Sequence, residues 1–349
     1  ETNTLNFCNN IATKFLKISI AYQNIKNKKL KMRFGNNINF IKTKASKARS
    51  LFFQYKKIFT EENPDYVVTS SFIILINLII AKKISNESPK IIYKIETNLN
   101  KFFEASEQKI DRVLYKFFST TVFSETDLLI CSSNSIAESL KKNFGEKINK
   151  KIICIYNPVI TEIDRGIRKK VSHKFFYDKN QDVVNLISVG RLIPSKGFKE
   201  LILIIEKLRE NNYETEFRLL IIGEGPEKIS LMSLIKERNL DDIADIINFN
   251  ESFLDYIFYS DIYLSNSSYE GLNNNIIHSL RQGTKIISSD CDFGPREILE
   301  NGKYGSLVPV GSQAAMIKKI VEISKIPYSQ NKIEECIKRA EDFSAEKNS

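Results

Sequence analysis

A single carboxylate, Glu270, stands in a polar loop directly ahead of Gly271, Leu272 and three asparagines, Asn273, Asn274 and Asn275. Behind them Ile276, Ile277 and Leu280 have the spacing of one helix face, and asparagine is a preferred helix N-cap. The start of a helix offers free backbone N–H groups and a partial positive charge, which together make an anion site. A carboxylate beside such a site suits a ligand carrying hydroxyls next to a phosphate. A sugar nucleotide is one such ligand.

A second chemical stretch, SVGRLIPSKG, occupies 188–197. It follows an apolar run and precedes a helical pattern. Gly190 and Gly197 allow backbone turns, while Arg191 and Lys196 sit on the connecting loop. Two cations there would neutralise a diphosphate, Arg through a planar fork and Lys as a point charge. They would also stabilise a departing phosphate. Taken alone, the stretch is equally well read as a basic surface loop. Gly223-Glu-Gly-Pro226 also follows an apolar run, but Lys228 stands where a dinucleotide fingerprint needs its third glycine. A tight turn into a helix with Pro226 at its first position accounts for most of it.

The composition bounds the remaining chemistry. Two histidines, His173 and His278, leave almost no room for a His-based metal site. The five cysteines are far apart and form no CxxC pair, which argues for a reducing compartment and against disulfides or structural zinc. An apolar fraction of 42% and a charged fraction of 27% belong to a soluble globular chain. The net charge of +10 is uneven: residues 1–60 hold thirteen basic residues and one acid, Glu1, a local balance of +12 that leaves −2 for the rest. Such a region favours an anionic partner surface, or is simply a solvated lysine-rich face. The longest apolar run, 72–81, contains Asn77 and falls short of the ~20 residues a membrane span needs. The first apolar stretch lacks a signal-peptide cleavage pattern.

The elements that must position these residues alternate. Strands are expected at 17–22, 66–69, 90–95, 127–131 and 152–156, then at 183–189, 218–222, 246–249, 262–264, 285–289 and 307–308. Helices are expected at 3–15, 45–59, 72–84, within 102–118 and at 133–144, then at 198–211, 226–238, 254–259, 274–281, 313–324 and 334–343. Alternation of this kind predicts an α/β chain with parallel sheets covered on both faces. The expected division is a first domain over 1–158, a polar linker over 159–182, a second domain over 183–326 and a helical tail over 327–349. Two doubly wound sheets in tandem, with a ligand in a cleft at their strand C-termini, follow from it.

Four blocks in order, SVGRLIPSKGFKELI, LLIIGEGPEKISLMSLI, IYLSNSSYEGLNNNIIHSL and SSDCDFGPREILENGKYGSLVPVGS, closely resemble the C-terminal half of glycosyltransferase family 4, the retaining enzymes of GT-B fold. The match is dense over 183–325. PDYVVTSS, CSSNSIAESLKKNFG and KIICIYNPV in the first half agree more loosely. The resemblance also implies that the chain is a fragment. Glu1 would close the family's glycine-rich loop, the first strand and that loop would be absent, and the final helix would be cut short.

The resemblance assigns roles to residues. Arg191 and Lys196 match the pair gripping the donor diphosphate, with Gly190 between strand and loop. Glu270 matches the first Glu of a Glu-x7-Glu pattern that contacts the transferred sugar. Gly271, Leu272 and Asn273 match the backbone beside sugar and phosphate, and Phe249 and Asn250 match the segment holding the base. The second Glu, which accepts hydrogen bonds from the ribose, falls on His278; a neutral imidazole accepts one bond and its cation none. Thr97 stands where many relatives carry a His facing the donor sugar. Retention needs no enzyme base if the leaving phosphate takes the acceptor proton.

The implied activity is transfer of a hexosyl or N-acetylhexosaminyl group from a nucleotide-diphosphate sugar, expected to be UDP-linked, to a hydroxyl of a lipid-linked or surface-polysaccharide precursor. No cofactor is expected, and metal-independent chemistry is implied. The expected partners are the donor, a glycan or lipid-linked acceptor and an anionic membrane surface, but not nucleic acid, for want of a motif and of aromatics interleaved with the basic residues. The expected location is cytoplasmic, with a peripheral place on the inner membrane face. The rival reading is a degenerate GT-B-like binding or scaffold protein, motivated by His278 and the missing glycine loop.

Overall fold

The computed structural model describes residues 17–22, 38–43, 51–97, 99, 109–177, 182–250 and 252–348. The helix expected at 3–15, the start of the one at 45–59 and most of the basic N-terminal region lie outside the described residues. The chain divides into two compact units, 1–158 with 348–349, and 159–347.

The first unit holds two parallel sheets. β1 (Ile18–Tyr22) pairs with β2 (Ile38–Lys42), and β3 (Tyr66–Thr69), β4 (Lys90–Ile95), β5 (Leu128–Cys131) and β6 (Ile152–Cys154) pair in sequence order. The sequence reading passed over β2, because its five residues sit in a basic stretch and only the register with β1 makes them a strand. The helices are α1 (Leu51–Glu62), α2 (Phe72–Ile84), α3 (Lys109–Glu125), α4 (Asn134–Asn143) and the single turn α5 (Glu146–Asn149). The apolar run at 72–84 is helical, capped by Ser71, whose side chain accepts from Ile74 N. Phe72, Tyr93 and Phe123 interlock at centroid distances of 5.9–6.4 Å and fill the space between sheet and helices. Lys151 donates to the carbonyls of Ser124 and Thr126, which satisfies the open end of α3.

The second unit starts with the turn α6 (Glu162–Arg165) and builds a six-stranded sheet from β7 (Val183–Val189), β8 (Glu216–Ile222), β9 (Ala244–Ile247), β10 (Ile262–Ser265), β11 (Lys285–Ser289) and β12 (Ser306–Val308). Every pairing is parallel and the order is β12-β11-β10-β7-β8-β9. Its helices are α7 (Phe198–Glu210), α8 (Lys228–Glu237), α9 (Phe253–Tyr259), α10 (Asn274–Gln282), α11 (Pro295–Ile298), α12 (Gln313–Ser324) and α13 (Gln330–Ala340). β7 and β10 are buried along almost their whole length because helices cover both faces, and Leu186, Ile204, Ile221, Leu264 and Ile320 meet in one buried core.

The strand order reverses between β7 and β10. The loops leaving these two strands turn in opposite directions, and the opening between them at the strand C-termini is where doubly wound sheets take ligands.

Three departures from the sequence reading have physical reasons. β9 ends at Ile247 rather than at 249, because Gly223 N to Ile247 O closes the ladder with β8 and no partner remains beyond it. Phe249 and Asn250 therefore lie in the following loop. Residues 159–182, set aside as a linker, group with the second unit: Val159, Ile160, Val171 and Phe175 are buried, and the amides of Val159 and Ile160 donate to Phe343 O. The tail groups there as well, since α13 lies against α10 so closely that a Cβ on Gly283 would meet Ile333 at 2.6 Å.

Candidate functional site

The site begins with two loops that only glycine allows to approach. A Cβ on Gly223 would stand 2.0 Å from Gly190 O, so the turn after β8 lies directly on the turn after β7. The GEGP stretch is thus a close approach between backbones. Gly197, at φ +65°, ends the short 3-10 turn Pro194–Lys196 and opens α7; a Cβ there would meet Asn266 O at 2.3 Å. Ser268 N donates to Ser195 O at 2.8 Å and Asn266 Nδ2 to Gly197 O at 3.2 Å, which stitches the loop after β7 to the loop after β10.

That stitching brings Lys196 Nζ to 2.5 Å from Glu270 Oε1. The same oxygen accepts from Ser267 Oγ at 2.6 Å and from Asn273 Nδ2 at 2.9 Å. Oε2 has no hydrogen-bond partner among the described residues. Glu270 is 7% exposed, so a buried carboxylate is held by three donors on one oxygen while the other remains open. Lys196 and Glu270 line a small pocket with Ser188, Tyr263, Ser265 and Asn273. Burial pushes the Tyr263 phenol well up, and the Glu270 charge adds to it. Burial also pushes the Cys291 thiol up to about 12, with Glu270 adding and Lys196 opposing, so Cys291 borders the ion pair.

Asn273 serves two structures at once. Its Oδ1 caps α10 by accepting from Ile276 N, and its Nδ2 reaches Ser265 Oγ as well as Glu270. Asn275 Nδ2 donates to Val189 O at 2.7 Å, fixing the start of α10 to the end of β7. Gly294, at φ +89°, lets the turn before α11 pass 3.1 Å from Gly271 O and 3.3 Å from the Asn273 amide, measured from a Cβ added there. Gly271 and Leu272 are buried beneath that turn. Arg191 is exposed and makes no ion pair among the described residues.

A second cluster lies further along α10. His278 Nδ1 is 2.6 Å from Asp164 Oδ1, and Asp164 Oδ2 accepts from Thr161 N at 3.0 Å and Thr161 Oγ1 at 2.9 Å. Burial raises the Asp164 carboxyl, but the His278 and Thr161 bonds outweigh it and hold the group below its ordinary value. The His278 ring meets the edge of Phe253 at 5.3 Å, and Phe253 meets Phe249 at 5.1 Å. Phe249 is half exposed, while Asn250 turns back on its own loop by donating to Asn248 O.

Lys196, Glu270 and Asn273 are thus joined by direct bonds, and Phe249 and His278 are joined through Phe253. Sequence reasoning missed Ser267, Ser265 and Cys291, which lie inside quoted blocks but carry no spacing signal. It also missed Phe253 and Asp164. Asp164 lay in the supposed linker, and nothing in the sequence connects it to His278.

Residues 170–343 match the family model described as Glycosyl transferases group 1. The chain carries a glycosyltransferase group 1 domain. Over 257 residues it is 28% identical to an uncharacterized glycosyltransferase of Methanocaldococcus jannaschii, covering 71% of this chain and 61% of the relative. It is 27% identical over 223 residues to an N-acetylgalactosamine-N,N'-diacetylbacillosaminyl-diphospho-undecaprenol 4-alpha-N-acetylgalactosaminyltransferase of Campylobacter jejuni, covering 63% of this chain and 58% of that enzyme. The chain spans under two thirds of the length of these curated relatives. In fold it resembles a glycosyltransferase from Rickettsia africae at a TM-score of 0.75 and 16% identity, covering 100% of this chain and 90% of that one. It resembles Anabaena HepE, solved with UDP and glucose, at a TM-score of 0.75 and 15% identity, covering 100% and 92%. The matched segment holds Lys196, Glu270 and His278, while Asp164, the partner of His278, lies just ahead of it.

Proposed function

We propose that the chain is a retaining glycosyltransferase. It moves a hexosyl or N-acetylhexosaminyl group from a UDP-linked donor to a hydroxyl on a lipid-linked or surface-polysaccharide precursor. The observation that carries this reading is the Lys196–Glu270 pair at the strand-order reversal, where a cation and a half-open carboxylate share one pocket. The donor class is supported by the UDP and glucose in the Anabaena neighbour, and the acceptor class by the diphospho-undecaprenol substrate in the Campylobacter relative's name.

In this reading the open Oε2 of Glu270 accepts from a hydroxyl of the donor sugar and orients its anomeric carbon. The bond from that carbon to the β-phosphate oxygen breaks, and the electron pair leaves with the nucleoside diphosphate. Lys196, which keeps further N–H donors beyond the one on Glu270, and Arg191 stabilise the departing charge together with the amides at the start of α10. The acceptor oxygen forms the new bond on the same face, and its proton passes to the leaving phosphate oxygen. No metal ion or cofactor has a part in the scheme.

No helix among the described residues is long and apolar enough to cross a membrane. The +12 balance of residues 1–60 would hold the chain against anionic lipid on the cytoplasmic face, at about 1 kcal/mol per cation near the surface. The test is sugar transfer or donor hydrolysis with a panel of UDP-sugars, comparing the wild-type chain with Lys196→Ala and Glu270→Ala. Loss in both variants is expected; wild-type rates in both defeat the assignment.

A further inference from the structure

Two cysteines that are distant in sequence are neighbours in the first unit. β5 and β6 pair in parallel, and their register sets Cys131, the last residue of β5, opposite Cys154, the last residue of β6. Ile155 N donates to Cys131 O at 3.0 Å, which holds the register up to this last pair. Register partners on adjacent strands present their side chains on the same face of the sheet. Leu129 and Ile152, the pair two residues back on that face, are both buried. Both cysteines are thiols. Neighbouring strands run about 4.8 Å apart, and Cα atoms about 4.4–6.8 Å apart accept a disulfide. The two thiols differ in access. Cys131 is completely buried, whereas Cys154 is part exposed on the edge strand of its sheet. Burial pushes the Cys131 thiol up to about 12, the Cys154 charge adds to it, and Lys141 on α4 opposes.

We propose that Cys131 and Cys154 form a reversible oxidation site, a dithiol that hydrogen peroxide converts to a disulfide. Cys154 reacts first, because it is the member that reaches solvent. Its thiolate attacks one peroxide oxygen. The S–O bond forms as the O–O bond breaks, which leaves a sulfenic acid, and the released hydroxide takes up the Cys154 proton as water. The Cys131 sulfur then attacks the Cys154 sulfur. The S–S bond forms, the S–O bond breaks, and the departing hydroxide takes the Cys131 proton as a second water. Two thiols thus lose two hydrogens and two electrons, and the peroxide is reduced to water. A buried, protonated thiol is a slow nucleophile toward reagents from solution, but across a register pair contact replaces concentration. The neutral sulfenic acid also removes the Cys154 charge that adds to the Cys131 shift.

A disulfide holds its Cβ atoms about 3.8 Å apart, closer than the strand spacing of about 4.8 Å, so the bridge draws the two strands together and is readily reduced. Such a bond suits a switch in a reducing compartment, not a permanent staple. It fastens β6 to β5 just before Pro158, the residue at which the chain passes from the first unit to the second. Among the described residues no other two cysteines share a strand register. The site belongs to the first unit, whereas Lys196 and Glu270 belong to the second, and it does not depend on the sugar-donor reading.

The test is peptide mapping by mass spectrometry of the wild-type chain after a short exposure to hydrogen peroxide, with iodoacetamide blocking the remaining thiols. The expected result is the loss of two hydrogens per chain, a peptide that links Cys131 to Cys154, and full return of both thiols on treatment with dithiothreitol. Under the same exposure Cys131→Ala should hold Cys154 as a sulfenic acid that dimedone traps, and Cys154→Ser should leave Cys131 unoxidised. The mapping uses the wild-type chain, so it stands whether or not either variant folds. A wild-type chain in which Cys154 passes directly to sulfinic acid, or bridges to Cys8, Cys291, Cys336 or a second chain while Cys131 stays a thiol, overturns the proposal. So does a chain whose thiols all survive the exposure.

Discussion

Lys196 and Glu270 are 74 residues apart in sequence and 2.5 Å apart at Nζ and Oε1. Each stands on the loop that leaves a strand, one after β7 and the other after β10, and the hydrogen bonds between these loops set the distance. The pair is mostly buried, with 25% of the Lys196 side chain and 8% of the Glu270 side chain exposed.

Removing one partner should therefore be felt twice. Lys196→Ala leaves a buried carboxylate with two neutral donors, and a loss of about 2 kcal/mol in folding stability is expected, less than for a fully buried pair because Lys196 still reaches water. Transfer activity should fall at least ~100-fold, the order seen when one donor to a developing anion is deleted. Urea unfolding and initial rates on the same preparation separate the two effects.

His278→Glu is expected to destabilise the chain by about 2–4 kcal/mol, because it places a second carboxylate against Asp164. The double variant His278→Glu with Asp164→Asn should recover most of that loss. A double-variant cycle by thermal or urea unfolding reads the coupling; additive effects would mean that the two side chains do not face each other.

Acid should loosen the second unit. Hydrogen bonds from Arg165 hold the Glu346 carboxyl down at about 2, and the His278 and Thr161 bonds hold Asp164 below its ordinary value against the effect of burial. Folded-state values below the unfolded ones mean stability that is complete above about pH 5 and is lost as pH falls through the folded values. The melting temperature should hold from about pH 7 to about pH 5 and then drop, with a shallower drop in Arg165→Met.

Gly223→Ala should cost about 3 kcal/mol, since its Cβ would overlap Gly190 O and force apart the loops that position Lys196. Gly145→Ala is the control: nothing lies within 4 Å of its Cβ, and a change within about 0.5 kcal/mol is expected.

The thiols of Cys131 and Cys291, both pushed up to about 12 chiefly by burial, should resist alkylation near neutral pH in the folded chain and react on unfolding. Mass spectrometry after a timed iodoacetamide pulse assigns each site. Rapid native labelling of Cys291 would mean that the region bordering Glu270 is open.

The parallel α/β architecture was legible because apolar runs and capped helices alternate, and those patterns are set by local backbone sterics and by burial on both sheet faces. Lys196, Glu270 and Asn273 were legible as candidates because each lies in a polar loop between an apolar run and the helix pattern that follows it, where side chains are free to meet a ligand. β2 was not, since five residues in a basic stretch become a strand only when β1 lies beside them. The end of β9 was misplaced because an apolar Phe249 continues the pattern past the last residue with a partner strand. What the sequence determined by itself is which residues sit at strand ends and helix starts. What only the tertiary structure decided is which of those ends meet: that Lys196 answers Glu270, and that Asp164, in a segment with no period of its own, answers His278. Pairings across 74 and 114 residues leave no local trace, because their energy comes from burial and charge that exist only once the chain has closed around them.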